Sequence, residues 1–349
     1  MHAKVIGLVI IAFSLSPASG QSLLQPSQAR VLQFAHTQTV QSAQEIAAVI
    51  RMIAGIAQVS LSTEPTPFTL TIGGAAEQLS LAEWLFVELD QLDPGQPNPV
   101  MHEYRLTGIE ENVVRVYHAA HTSTIQELQE LATSLRAITE LRLLITQNAQ
   151  RAVVMRGNAD LMAVNEWLLS QMDKPRNEPI LHSATSQYFT VDQDNRGVLQ
   201  VFYVAHAKTF QDFHVVSTAM RTIAEVRSAF AYNPSRALAL RGSAGQMATA
   251  EWLFNQMDQP KRSPTTAPPA NEAVTRTYRV PDTIDSVLQV FNVTRAATIA
   301  DVENAANQIR KATSSPWVFP YDSTGAIVFR GTAAQMAQAE RLIEEMNRQ

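Results

Sequence analysis

VLQVFYVAHAKTFQD at residues 198–212, followed by LALRGSAGQMATAEWLFNQMD at 238–258, decides how this chain is read. The first seven residues are β-branched and aromatic and follow the turn-prone Asn195-Arg196-Gly197, which predicts a strand. Thr209 with Asp212 three residues on marks a helix start. The hydroxyl caps a free backbone N–H, and the carboxylate meets the positive end of the helix dipole. A strand pair then leads to Gly242-Ser243, where Ser243 with Gln246 repeats the same capping signal. The second helix closes at Met257-Asp258, so the order is βαββα.

The same order recurs along the whole chain. Arg51, Arg136, Arg221 and Arg310 each stand twelve residues after a threonine (Thr39, Thr124, Thr209, Thr298). The glycines Gly74, Gly157, Gly242 and Gly331 are separated by 83, 85 and 89 residues. Ten residues beyond them come Trp84, Trp167, Trp252 and, in the last copy, Arg341. Self-similarity at a fixed period outranks the domain count that length alone suggests. The fold class is therefore α+β: four tandem small βαββα modules joined by proline-rich linkers, with Tyr104, Tyr188 and Tyr278 marking a candidate extra N-terminal strand in modules 2 to 4.

The expected boundaries are 28–93, 100–174, 184–259 and 272–348. Asp93–Pro99, Lys174–Pro179 and the longest linker, 260–271, separate them. Proline stiffens such segments, so neighbouring modules are expected to stand apart at limited angles. A module this small buries too little surface to be robust alone, which calls for support from neighbours.

Helical spacing assigns the core. Ile125, Leu128, Leu131, Leu135 and Ile138 fall on one face, matched by Val40, Ala43, Ile46, Ile50 and Ile53 in the first copy. The strand pair of module 2 is expected at Leu141–Thr146 and Arg151–Met155. In the second helices, positions five, eleven, twelve and fifteen after the glycine are apolar and form the buried stripe. The tryptophan column points nearly opposite, away from its own core. Trp84, Trp167, Trp252 and Arg341 are accordingly the candidate interface residues; the local alternative sets each indole over the linker or tyrosine strand beside it. The repeated arginine near the end of each first helix is explained by the helix dipole.

Residues 1–20 read as a secretory signal: His2 and Lys4, an apolar run from Val5 to Leu15, then Pro17 and Ala18-Ser19-Gly20. Cleavage after Gly20 would leave 26 basic against 32 acidic residues, a charge of 26 − 32 = −6, which does not favour nucleic acid. The chain has no cysteine, so disulfides, thiolate metal sites and lipidated cysteines are excluded. A periplasmic or extracellular location is expected, peripheral to the membrane at most.

The phrase Val201-Phe202-Tyr203-Val204-Ala205-His206, the Arg241-Gly242-Ser243 turn and the ending Gln256-Met257-Asp258 resemble the N-terminal repeat domain of bacterial secretins. The resemblance runs through all four modules and implies ring-building, protein-binding units of secretion or pilus machines. Because Gln349 follows the fourth module directly, the β-rich gate of a secretin is expected to be absent.

No catalytic or cofactor-binding constellation stands out. There is no Gly-x-Ser-x-Gly, and Gly73-Gly74 lacks a P-loop lysine. His118 and His121 are three apart, and His36, His121 and His206 share a repeat column with Arg295, but no third ligand is evident, so no metal site is expected. Carboxylates such as Glu110, Glu111, Asp192 and Asp194 fall in predicted turns. The functional expectation is a non-enzymatic envelope scaffold or adaptor that binds other protein subunits or itself. The alternatives are a monomeric binding module for a cell-wall glycan or soluble ligand, stacking on the tryptophans, and an enzyme on a repeat scaffold.

Overall fold

The computed structural model describes residues 28–92, 98–175, 186–190, 197–207, 209–259, 276–281, 283, 286–293, 298–321 and 325–348. The expected signal and the 260–271 linker lie outside them. The chain divides into two compact units, Met1–Arg176 and Asn177–Gln349.

The first unit holds modules 1 and 2. Module 1 comprises β1 (Gln28–Gln33), α1 (Val40–Ile53), β2 (Gln58–Ser62), β3 (Thr69–Gly74) and α2 (Ala76–Leu89), with its antiparallel sheet in the order β1-β3-β2. Module 2 comprises β4 (Val100–Arg105), β5 (Val113–His118), α3 (Ile125–Thr139), β6 (Leu143–Gln147), β7 (Ala152–Gly157) and α4 (Ala159–Met172), in the order β4-β5-β7-β6. The β6–β7 hairpin begins and ends slightly later than the sequence suggests, because Arg151 takes a left-handed turn conformation at φ 47°.

The second unit repeats this plan. Module 3 is β8 (Ser186–Thr190), β9 (Val198–Tyr203), α5 (Phe210–Ile223), β10 (Ser228–Tyr232), β11 (Ala237–Gly242) and α6 (Ala244–Met257), ordered β8-β9-β11-β10. Module 4 is β12 (Arg276–Arg279), β13 (Val287–Asn292), α7 (Ile299–Thr313), β14 (Val318–Tyr321), β15 (Ala326–Gly331) and α8 (Ala333–Arg348), ordered β12-β13-β15-β14. The tyrosine-bearing stretch is thus an edge strand in modules 2 to 4.

The helix starts are as the residues dictate. Thr39, Thr124, Thr209 and Thr298 each accept the backbone N–H three residues on. Gln246 and Gln335 accept from the N–H of Ser243 and Thr332, and their amides reach back to the Glu225 and Thr313 carbonyls. A Cβ on Gly242 or Gly331 would come within 2.6 or 2.9 Å of these glutamine oxygens, so the repeat glycine makes room for the cap. Val40 and Ile125, placed on the core face by spacing, are exposed at the first helical position. The first turn there extends past the edge of the apolar stripe.

Within each unit the modules are not held apart. A βαββα sheet is covered by its own two helices on one face only, and an apolar second face needs another cover. In module 2 that face carries Val114, Val116, Leu143, Ile145, Ala152 and Val154. These residues join Ile46, Ile50 and Ile53 of α1 in one continuous core. At about 1.5–3 kcal/mol per large buried side chain, such a face outweighs any spacing tendency of a proline linker. Leu288, Val290, Phe319, Tyr321 and Val328 of module 4 likewise share a core with Val216, Met220 and Ile223 of α5. The expectation that proline joints separate neighbours therefore fails inside each unit. Module 1 supplies the contrast: at the matching positions it has Ala29, Val31, Gln58, Ser60, Thr69 and Thr71, and five of these, all but Thr69, are exposed.

Candidate functional site

The joint between the two modules of each unit is where repeated residues outside the module core converge. Arg156, at the end of β7, donates through Nη1 to the Ile53 carbonyl at the C-terminus of α1, 2.6 Å away. Arg330, at the same place in β15, donates to the Ile223 carbonyl at the end of α5, to the Glu225 carboxylate at 3.0 Å and, through Nε, to Ser286 Oγ at 2.9 Å. Its guanidinium lies over the Trp317 ring, 4.9 Å from the centroid. A helix C-terminus leaves carbonyls without intrahelical partners and carries a partial negative charge, so a planar multi-donor cation is well matched to it. Sequence reasoning took Arg241-Gly242-Ser243 only as a turn. The signal was an arginine immediately before the repeat glycine in modules 2, 3 and 4, replaced by Gly73 in module 1.

The second repeated contact is aromatic. Trp84 on α2 meets Tyr104 on β4 with ring centroids 5.4 Å apart, and Trp252 on α6 stacks on Tyr278 of β12 at 5.2 Å and 26°. Both indoles are half-buried, on the side of the helix away from their own sheet, against the edge strand of the following module. Trp167 is half-buried as well, whereas Arg341 is exposed and its Nε donates to the Ala337 carbonyl at 3.2 Å. The tyrosine column needs one correction. Pairing registers place Phe189, opposite Leu199, where Tyr104 stands opposite Val114, and Tyr188 is 72% exposed. A one-residue offset moves a strand side chain to the other face.

Around these contacts α1 and α2 bind module 2 with polar groups. Gln147 Nε2 donates to Ser42 Oγ, and Asn148 donates from its backbone and side chain to the Glu45 carboxylate at 2.8 and 2.7 Å. Glu77, in the first turn of α2, accepts from the Thr107 N–H at 2.8 Å and its hydroxyl at 2.9 Å. Those two bonds, the backbone one first, hold the Glu77 carboxyl below its ordinary value. A carboxylate depressed in the folded state stabilises above its unfolded pKa and loses that contribution as pH falls through the folded one. The difference in urea midpoint between the parent protein and Glu77→Gln should therefore shrink toward zero on acidification below the ordinary carboxylate range. A pH-independent difference would exclude the contact as its source.

The histidine column has a structural explanation. Asp90, Asp173 and Asp258, which end the second helices, turn their carboxylates onto the loop after the first core strand. Asp173 accepts from the N–H groups of Ala120 and His121, both at 2.9 Å, and from the Tyr117 hydroxyl at 2.8 Å. Asp258 accepts from Ala205 and His206, and Asp90 from Ala35, His36 and Thr37. His121 and His206 also place Nδ1 2.9 and 3.1 Å from the carbonyl of the same aspartate, completing a closed local network. The repeated arginine of the first helices reaches sideways: Arg51, Arg136 and Arg310 donate to the Val59, Leu144 and Val318 carbonyls of their own modules.

His118 lies beside His102 and Glu88, where the three ligand atoms fall within 4.8 Å of one another.

No protein-family profile matches the chain, and no curated protein does. Among solved structures, the chain is similar to ExeD of Aeromonas hydrophila at 14% identity and a TM-score of 0.16, over 67% of this chain and 42% of that one. It is similar to the N-terminal domain of the secretin XcpQ from Pseudomonas aeruginosa at 13% identity and 0.22, over 66% of this chain and 100% of that one. The ETEC pilotin–secretin complex AspS–GspD matches at 13% and 0.16, over 90% of this chain and 54% of that one. The chain thus spans about half or less of the ExeD and ETEC chains. Among the described residues no helix is long and apolar enough to cross a membrane.

Proposed function

We propose that the chain is an exported envelope scaffold, built of secretin-repeat-like modules, that mediates protein–protein assembly in a secretion or pilus-related machine. The observation that carries this reading is the repeated joint. Equivalent residues, Arg156 and Arg330, Trp84 and Trp252, Tyr104 and Tyr278, couple module 1 to module 2 and module 3 to module 4 at the same places. A chain that devotes its repeated side chains to coupling modules builds a stiff surface rather than a catalytic cleft, and repeat arrays commonly use such extended surfaces for binding. The glycan alternative is weakened by the same geometry, since the Trp84 and Trp252 rings are engaged by tyrosines. The resemblance of the 201–206 and 241–243 segments to secretin repeats points to self-association as one form of assembly. Light scattering coupled to size exclusion on residues 21–349 tests it. Concentration-dependent oligomers are expected, and a strict monomer at the highest soluble concentration removes the self-assembling scaffold.

A further inference from the structure

We propose that Glu88, His102 and His118 form a binding site for a divalent transition-metal cation of the zinc type, bridging modules 1 and 2. Glu88 lies on α2, one turn beyond Trp84, while His102 and His118 lie on the neighbouring strands β4 and β5. The β4–β5 register pairs Val100 with His118, so His102, two residues along, shares its face and stands diagonally beside it. The two rings are 6.1 Å apart between centroids. Along the same face the Trp84–Tyr104 contact and the Glu88–His102 contact are successive rungs, the latter with Nδ1 2.5 Å from Oε2.

Two imidazoles and one carboxylate are a donor set for zinc-like ions rather than for magnesium or calcium, which favour oxygen ligands. The ligand atoms lie within 4.8 Å of one another, and tetrahedral zinc with bonds of about 2.0–2.1 Å brings ligands to about 3.4 Å. Side-chain torsions suffice to close that gap, because the His102 side chain is 44% exposed and the site opens to solvent on that side. His118 Nδ1 faces the Gln150 carbonyl at 3.4 Å, the kind of backbone contact that orients the ring of a metal-binding histidine. Three protein ligands leave a fourth position for water or a partner's side chain. The matching positions of modules 3 and 4 hold Gln256, Arg276 and Asn292, so the joint of the second unit lacks this donor set.

The experiment strips the purified protein with a chelator, then titrates it with Zn2+ by calorimetry and with Co2+ by visible absorption. One saturable site per chain, a tetrahedral Co2+ band and a Zn2+-dependent rise in unfolding temperature are expected. His102→Gln and His118→Gln should each weaken binding by about 100-fold or more, since even outer-shell partners are worth about 10–100-fold. His102→Gln alters an exposed side chain, so its metal-free unfolding should match the parent and certify the fold. His206→Gln, at the repeat position of His121, should leave binding unchanged. Absence of saturable Zn2+ binding, or binding that survives His102→Gln, overturns the assignment. Neither result depends on the oligomeric state.

Discussion

Replacing Asp173 with alanine should destabilise the first unit by about 3–5 kcal/mol. The Asp173 side chain is fully buried, and its carboxylate is the shared acceptor for two backbone N–H groups and the Tyr117 hydroxyl. Without it, the Tyr117 hydroxyl and the Ala120 and His121 N–H groups lose a buried acceptor, and losing the partner of a buried polar group costs about 1–3 kcal/mol. The three penalties do not simply add, because the loop can relax. Asp173→Asn should recover part of the loss: its amide oxygen can accept one or two of the bonds, while its NH2 faces a donor. Urea denaturation followed by far-ultraviolet circular dichroism gives the comparison. A cost for Asp173→Ala below about 1 kcal/mol would show that the carboxylate does not hold the loop.

Arg330→Ala should cost the second unit about 2–4 kcal/mol, or about 4–16 °C in unfolding temperature for a unit of this size. The guanidinium is 4% exposed and serves three acceptors from two modules as well as the Trp317 face. Truncation strands the Ile223 carbonyl and opens a void beside the indole. Glu225 is half-exposed and can return to water, so the lost ion pair contributes little to the total. Arg330→Lys tests the geometry, because one ammonium cannot span the fork of acceptors and should keep less than half of the stability. If the lysine variant unfolds with the parent, charge at this position suffices and the planar staple is not the feature that couples the modules.

Much of each module was legible because its determinants are local. Thr209 with Asp212 and Ser243 with Gln246 encode helix starts within four residues, and the stripe of Met247, Leu253, Phe254 and Met257 follows from one helical period. The joint was legible only in fragments. Arg156 and the Ile53 carbonyl are 103 residues apart, and Asn148 and Glu45 are equally distant. No periodicity links positions so far apart on different elements. The apolar run in β7 carried a hint, since Ala152–Met155 are all buried and a strand covered on both faces loses its alternation. Tyr188 shows the opposite hazard: residue type sets it with Tyr104 and Tyr278, whereas pairing register gives that place to Phe189.

From the sequence alone come the fourfold repeat, the βαββα order, the capping of its helices and the side of each second helix that faces its own sheet. These rest on interactions spanning a few residues, whose energetics depend on residue type and spacing. Only the tertiary structure decided that the two modules of each unit share a core, that an arginine closes the first helix of the module before it, and that Glu88, His102 and His118 come together. Each of those depends on which faces remain uncovered once a module has folded, and such faces meet through space rather than along the chain.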